Sequence, residues 1–293
     1  MTRSQPIEVP LPGGGTAKGA DWPGSGLPVL AVQGLGSNHR VFELLARAMP
    51  EQRIVAVDAR GRASGAKIPS PDGITTQADD LVAVLDHLGI DKAVVVGHSM
   101  GGFVTLRFAQ RHPERIVGLV LLDGGPPVQL PGILRSGWAV KFAFNKKLPK
   151  TETYRDFDHF FEQMINRAGA YAELDREFVK WGFEIDVEDV PGGVRPVNNR
   201  DMMLTDAIEC FTAPWRAQAL KEVSVPTRLV LAAHGEDKNS KPLYRKEPSP
   251  DALSPQITVE RIAGTDHLDM LWHPRTIATI EGFTKESVPG SRT

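Results

Sequence analysis

Apolar and polar positions fall into blocks along the chain, and the length of each block predicts an element. Ile7 to Leu11 and Thr16 to Asp21, parted by Gly13-Gly14-Gly15, read as a β-hairpin. Pro28 to Gln33 reads as a buried strand, with Gly34-Leu35-Gly36-Ser37 as the turn behind it. Asn38 is placed to cap a helix over Arg40 to Ala48, whose Val41, Leu44, Leu45 and Ala48 share one face. Arg53 to Val57 is the next strand, ended by the polar run Asp58 to Gly65. A helix starting at Thr75 or Thr76 aligns Leu81, Val84, Leu85 and Leu88 and stops at Gly89. Val94-Val95-Val96 leads into Gly97-His98-Ser99-Met100-Gly101-Gly102 and a helix over Phe103 to Gln110. Ile116 to Leu122 is a further all-apolar strand, closed by Asp123-Gly124-Gly125-Pro126-Pro127.

Strands apolar on both faces, alternating with helices over short connections, predict an α/β fold: a mostly parallel sheet covered by helices on both faces. The rhythm breaks at Pro126. From there to Glu222 the pattern reads as helical, interrupted at Pro149 and at Pro191-Gly192-Gly193, and strands resume at Pro226 to Ala233 and Ile257 to Ile262. A helix from Pro274 to about Lys285 ends the core, and Val288 to Thr293 read as a disordered tail. The expected division is a core of 1–125 and 223–293 and a helical cap of 126–222. That middle segment holds thirteen of the twenty aromatic residues, among them Trp138, Phe142, Phe157, Phe160, Phe161, Phe178, Trp181, Phe211 and Trp215. Most are expected to form the cap's own core, and a cap that follows a strand end above Ser99 roofs an apolar pocket.

Composition narrows the partners. The chain has 293 residues and a formal net charge of -2, which suggests neither nucleic acid nor an anionic membrane as partner. Met1 to Pro12 lacks the apolar run of a signal peptide and no later stretch has the length of a membrane span, so a cytoplasmic protein is expected. The lone Cys210 allows no internal disulfide and agrees with a reducing compartment. No metal is expected, because no His, Cys and Asp cluster has ligand spacing. Gly34-Leu35-Gly36 begins like a dinucleotide fingerprint but lacks its third glycine, so no cofactor is expected either. Lys141, Lys146, Lys147 and Lys150 form a basic face, most simply solvated.

The chemistry centres on Gly97-His98-Ser99-Met100-Gly101, a G-x-S-x-G elbow between a strand and a helix. Such a turn holds the serine in a strained conformation with its hydroxyl above the sheet, and the helix that starts there favours negative charge on a substrate oxygen. A serine nucleophile needs a base. Of eight histidines, His267 lies in the loop after the last core strand, at the carboxyl edge where such sheets present residues. His98 points the wrong way from within the elbow, and His234 is the rival.

The elbow, the Gly-Leu-Gly turn, Asp58-Ala59-Arg60-Gly61 and the order Ser…Asp…His together resemble the α/β-hydrolase superfamily, in particular its small esterase-like members with a helical cap after the sixth strand. The resemblance covers nearly all of Pro28 to Asp123 and Val225 to Gly282, and matches the cap only in position. It implies an oxyanion hole formed by the main-chain N–H groups of Leu35 and Met100. The turn here reads Gln33-Gly34-Leu35, where many relatives have His-Gly. It implies a structural part for Asp58 and Arg60. It leaves the triad acid open. Relatives usually carry it after the seventh strand, where Asp237 stands slightly late, whereas some haloalkane dehalogenases carry it 24 residues past the nucleophile, the offset of Asp123. Asp123 is favoured over Asp237, with Asp266 as a third choice. A serine at position 99 argues against epoxide hydrolase and dehalogenase chemistry, which need aspartate there. Hydrolysis of a carboxylic ester of a small apolar substrate leads. Lactone, thioester and carbon–carbon hydrolysis, and cofactor-free peroxidation, use a similar triad. A ligand sensor on the same core is the reading from another class.

Overall fold

The computed structural model describes residues 4–129, 132, 136–167, 171 and 174–286. The expected tail at 288–293 lies outside them. The central sheet takes the predicted strands in the spatial order β1 (Gln5–Pro10), β2 (Thr16–Trp22), β4 (Ile54–Val57), β3 (Val29–Val32), β5 (Ala93–His98), β6 (Ile116–Leu122), β9 (Thr227–Ala232) and β10 (Ile257–Ile262). The amino-terminal hairpin pairs antiparallel and joins β4 antiparallel, and every other neighbour is parallel.

Side chains of the central strands alternate between two cores. Leu30, Val32, Val55, Val95, Leu119 and Leu229 face one cluster, which holds Leu81 and Leu85 of α2 (Ile74–His87), Phe108 of α3 (Met100–Arg111) and Leu220 of α8 (Trp215–Glu222). Val29, Ala31, Ile54, Val94, Val120 and Val230 face the other, with Leu45 of α1 (Glu43–Ala48) and Ile280 and Phe283 of α9 (Pro274–Glu286). With both faces covered, no strand position is required to be polar, and the strands read as unbroken apolar runs. Each fully buried Val or Leu contributes about 1.5–3 kcal/mol.

Some helix starts carry a local side-chain cap and others do not. Asn38 caps as expected, accepting from the N–H of Arg40 at 3.0 Å, although the first turn is a 3₁₀ segment, His39–Phe42, ahead of α1. The start of α2 has no cap of its own: Glu209, far along the chain, accepts from the N–H of Ile74 at 3.0 Å.

Between β6 and β9 lie α4 (Gly137–Lys147), α5 (Phe157–Arg167), α6 (Arg176–Phe183), β7 (Val187–Val190), β8 (Gly193–Pro196), α7 (Arg200–Thr212) and α8. One expectation changes here. The break at Pro191-Gly192-Gly193 is the turn of an antiparallel hairpin, with Val187 opposite Pro196. Strands of four residues are too short to show a period of two, so the helical background hides them. Gly193 has φ 142°, and a methyl there would lie 1.9 Å from the carbonyl oxygen of Tyr154, whose main chain pairs with Val194. Within the expected cap of 126–222, Cys210 of α7 and Ala219 and Leu220 of α8 pack in the core cluster that contains Val104 and Phe108 of α3. Several of the inserted segment's aromatics pack on each other: Tyr154 and Phe160 meet edge to face at 5.3 Å and join Met164 and Val194 in a small core. Trp138 and Phe142 instead stack at 5.8 Å on the outer face of α4, 75% and 53% exposed.

Candidate active site

Ser99 adopts φ 54° and ψ −117°, a region that residues with a Cβ rarely occupy, and the closeness of the surrounding backbone holds it there. A methyl on Gly101 would lie 2.1 Å from the carbonyl oxygen of Val32, so strand and helix meet only because position 101 carries no side chain. Gly124 plays the same part from β6, since a methyl there would lie 2.0 Å from the carbonyl oxygen of Ser99. The turn behind β6 is thus pressed onto the elbow. Asp123, just before Gly124, is itself at φ 44°.

The geometry brings three of the predicted residues into one chain of hydrogen bonds. Ser99 Oγ lies 2.9 Å from Nε2 of His267, and Nδ1 of His267 lies 2.6 Å from Oδ2 of Asp123. Asp123 is fully buried, and its other oxygen accepts from the N–H of Ala232 at 3.1 Å, so β6 and β9 hold it together. The alternative acid, Asp237, is elsewhere. It closes its own turn by accepting from the N–H of Asn239 at 2.7 Å, and hydrogen bonds from Asn239 and Ser240 lower its pKa from the ordinary carboxyl value. Asp266 is likewise spent on its own loop, accepting from the N–H groups of Leu268 (3.0 Å) and Asp269 (2.9 Å). The rival His234 is tied by its main chain to Thr265 at 2.9 Å, and no hydrogen bond joins its ring to Ser99.

Two of the site's features escaped the pattern of the chain. His98 is buried and donates from Nε2 to the carbonyl of His267 at 2.6 Å, with the two rings 4.9 Å apart. Burial, aided by the neighbouring His267, pushes its pKa down to about 3, so it stays neutral while it holds the loop. The main-chain N–H of His267 adds a bond to Gly235 at 2.7 Å. The second is Arg62, fully buried beside Leu35 and Met100. A histidine next to the serine and an arginine in the Asp58 loop are the only sequence signals for either, and neither declares its partner.

The predicted oxyanion residues flank Ser99. The turn that carries Leu35 lies against the elbow, since a methyl at Gly34 would sit 3.3 Å from Ser99 Cβ. Leu35 N–H donates to no main-chain carbonyl among the described residues, and Met100 N–H belongs to the first turn of α3, where a helix leaves its donors open. Asp58 and Arg60 do not pair with each other. Asp58 binds Nδ1 of His39 at 2.8 Å and the hydroxyl of Ser64 at 2.7 Å, and Arg60 forks onto Asp80 at 2.7 and 2.8 Å. Burial pushes Asp58 up, but the bonds from His39 and Ser64 outweigh it and leave the carboxyl below its ordinary value. Of the basic face on α4, Lys147 pairs with Glu236 at 2.6 Å and Lys146 lies over the ring of Phe142.

A largely apolar cavity opens next to the turn that carries Leu35. Gly36, Ser37 and Trp272 bound it on the core side, and Phe178, Val179 and Phe183 of α6 on the other; Ser99 does not line it. Asp186, 4% exposed, forms part of its wall. Its Oδ2 accepts from Asn38 at 3.1 Å. Burial pushes this carboxyl up to about 7, opposed by the Asn38 bond and reinforced by the charge of Asp58. Among the described residues no group of three or more His, Cys, Asp or Glu is placed to hold a metal ion, and no helix is long and apolar enough to cross a membrane.

Strand order, elbow and the Ser99–His267–Asp123 chain together define a class of protein. The family described as alpha/beta hydrolase fold matches residues 27–274, and the chain belongs to that family. It is 27% identical over 257 residues to a non-heme haloperoxidase of Rhodococcus erythropolis, covering 84% of this chain and 87% of that protein. A shorter match, 29% identical over 134 residues, covers 44% of this chain and 48% of a protein of non-heme haloperoxidase type from Mycobacterium phage D29. Among solved structures, that of E-2-(acetamidomethylene)succinate hydrolase superposes with a TM-score of 0.75 at 23% identity, covering 96% of this chain and 99% of that one.

Proposed function

We propose that the chain is a serine hydrolase that cleaves a carboxylic ester of a small, largely apolar substrate through an acyl-enzyme. The observation that carries this reading is the continuous path from Ser99 Oγ to His267 Nε2 at 2.9 Å and from His267 Nδ1 to Asp123 Oδ2 at 2.6 Å. His267 takes the proton of Ser99 as its oxygen attacks the acyl carbon. Asp123 orients the ring and stabilises the imidazolium that forms. Charge on the former carbonyl oxygen is met by the N–H groups of Leu35 and Met100 at the start of α3. His267 then protonates the departing alcohol, and water repeats the attack to release the acid.

The segment between β6 and β9 acts as the cap. Its α6 aromatics and the core residues around Gly36 leave a largely apolar space next to the Leu35 turn, which suits a small apolar group. No cofactor or metal is needed for this chemistry, and the free, buried Cys210 favours a reducing, cytoplasmic location. A burst of p-nitrophenol from p-nitrophenyl acetate tests the reading. Ser99→Ala should abolish it, and steady turnover by that variant would exclude Ser99 as nucleophile.

The similarity to a named haloperoxidase across 84% of the chain favours a second reading on the same residues. Hydrogen peroxide in place of water would attack the acyl-enzyme, giving a peracid and free Ser99. Peracid formation from acetate and peroxide, lost in Ser99→Ala, would assign it. Ester turnover unaffected by peroxide and without peracid would leave hydrolysis alone.

A further inference from the structure

One buried cation stands beside the main-chain donors and has no part in the chemistry above. Arg62, in the loop after β4, is 0% exposed. A guanidinium remains charged and is costly to bury unless its fixed fork of donors is matched. Here the matching is extensive. Nε donates to the carbonyl of Leu35 at 3.0 Å, Nη1 to the carbonyl of Arg60 at 2.7 Å, and Nη2 to Sδ of Met100 at 3.0 Å. Nη1 also pairs with Asp206, 1% exposed, on α7. One side chain therefore grips the main chain of one proposed oxyanion residue and the side chain of the other.

The inserted layer reaches the same turn a second way. Leu35 packs against the cluster of Met203 and Leu204 on α7, and a methyl at Gly36 would lie 3.5 Å from Met203 Cε. The helix is tied down on its other flanks as well. Gln77 of α2 donates to Asp206 at 3.0 Å, and the N–H of Asn199 donates to the carbonyl of Gly61 at 2.8 Å. These bonds tie α7 to α2 and to the loop that carries Arg62.

We propose that Arg62 is a positioning residue that sets the Leu35 and Met100 N–H groups against the substrate oxygen, and that Asp206 on α7 fixes Arg62 in turn. The proposal rests on the serine-hydrolase reading and adds to it how the inserted layer controls the oxyanion hole. Lysine cannot replace arginine here, because an ammonium presents its donors from a single point and cannot span Leu35, Met100 and Asp206 together.

The test uses the full chain, p-nitrophenyl acetate kinetics, a fluorophosphonate probe of Ser99 and a boronic acid whose tetrahedral adduct places an oxygen in the hole. Arg62→Lys should lower kcat by about a hundredfold, the scale of a misplaced oxyanion donor, with little change in KM and a parallel loss of boronic acid affinity. Arg62→Met combined with Asp206→Leu removes both charges, so melting should return towards wild type while kcat stays low. Wild-type kcat in a double variant that melts like wild type would overturn the positioning role. Should that variant not fold, wild-type kcat and boronic acid affinity in Arg62→Lys would overturn it equally. A wild-type protein that neither labels at Ser99 nor turns over esters would overturn the serine-hydrolase reading itself, and this proposal with it.

Discussion

Replacing Asp123 with asparagine separates its charge from its shape. The backbone tolerates the change, because asparagine accepts positive φ more readily than most residues and position 123 sits at 44°. The Ala232 N–H, 3.1 Å from Oδ1, still finds an oxygen, which turns the new amide NH₂ towards His267 Nδ1, now 2.6 Å from Oδ2. A donor there forces Nδ1 to accept. The ring proton then sits on Nε2, the atom that must take the proton of Ser99. The substitution also removes the charge facing the imidazolium. At about 4 Å between charge centres and an effective dielectric constant of about 20, that attraction is about 4 kcal/mol, or about a thousandfold in rate. With the wrong tautomer added, kcat for p-nitrophenyl acetate should fall by about 10³ to 10⁴, in line with the loss typical of this substitution in such triads. Stopped-flow kinetics on wild type, Asp123→Asn and Asp237→Asn read this directly. Asp237 bonds only within its own turn, so its variant should stay close to wild type. An Asp123→Asn enzyme within about tenfold of wild type, beside a crippled Asp237→Asn, would refute the assignment, since a loss of about 1.4 kcal/mol is too small for a buried triad acid.

Two further predictions concern stability. Asp186 has a folded pKa of about 7, raised above the ordinary 3.8, so its contribution is fully present below about pH 4 and is lost as pH rises through 7. Asp186→Asn should therefore raise Tm at pH 8 and change it little at pH 4, followed by circular dichroism melts; an equal effect at both pH values would show that its ionisation is not the cause. Gly124→Ala forces a methyl to within 2.0 Å of the Ser99 carbonyl oxygen, and because the obstacle is backbone the elbow and the Asp123 turn must separate. About 1–3 kcal/mol of stability should go, along with most of the activity, and unchanged melting would refute the tight contact.

Much of this protein is written in its one-dimensional pattern. Runs such as Val94-Val95-Val96 and Ile116 to Leu122 are apolar at every position because helices cover both faces of the sheet, and that alone predicts parallel strands under two helical layers. The elbow is legible too, since a methyl on Gly97 would lie 2.3 Å from the carbonyl oxygen of Gly101, a constraint that is local in sequence. His267 follows from its place after the last strand. What the chain could not declare are contacts between distant segments. Asp123 and Asp237 both follow strands that end beside the site, and only the packing of β6 against β9 puts Asp123 under the His267 ring. The hairpin of β7 and β8, too short to carry a period, depends on Tyr154 for its third partner. Arg62 reads as one more charge in a polar loop until α7, 144 residues away, supplies Asp206. Local sterics leave their mark on residue type and spacing, whereas the choice among several plausible acids and cations is made by which of them tertiary packing leaves buried and within reach of a partner.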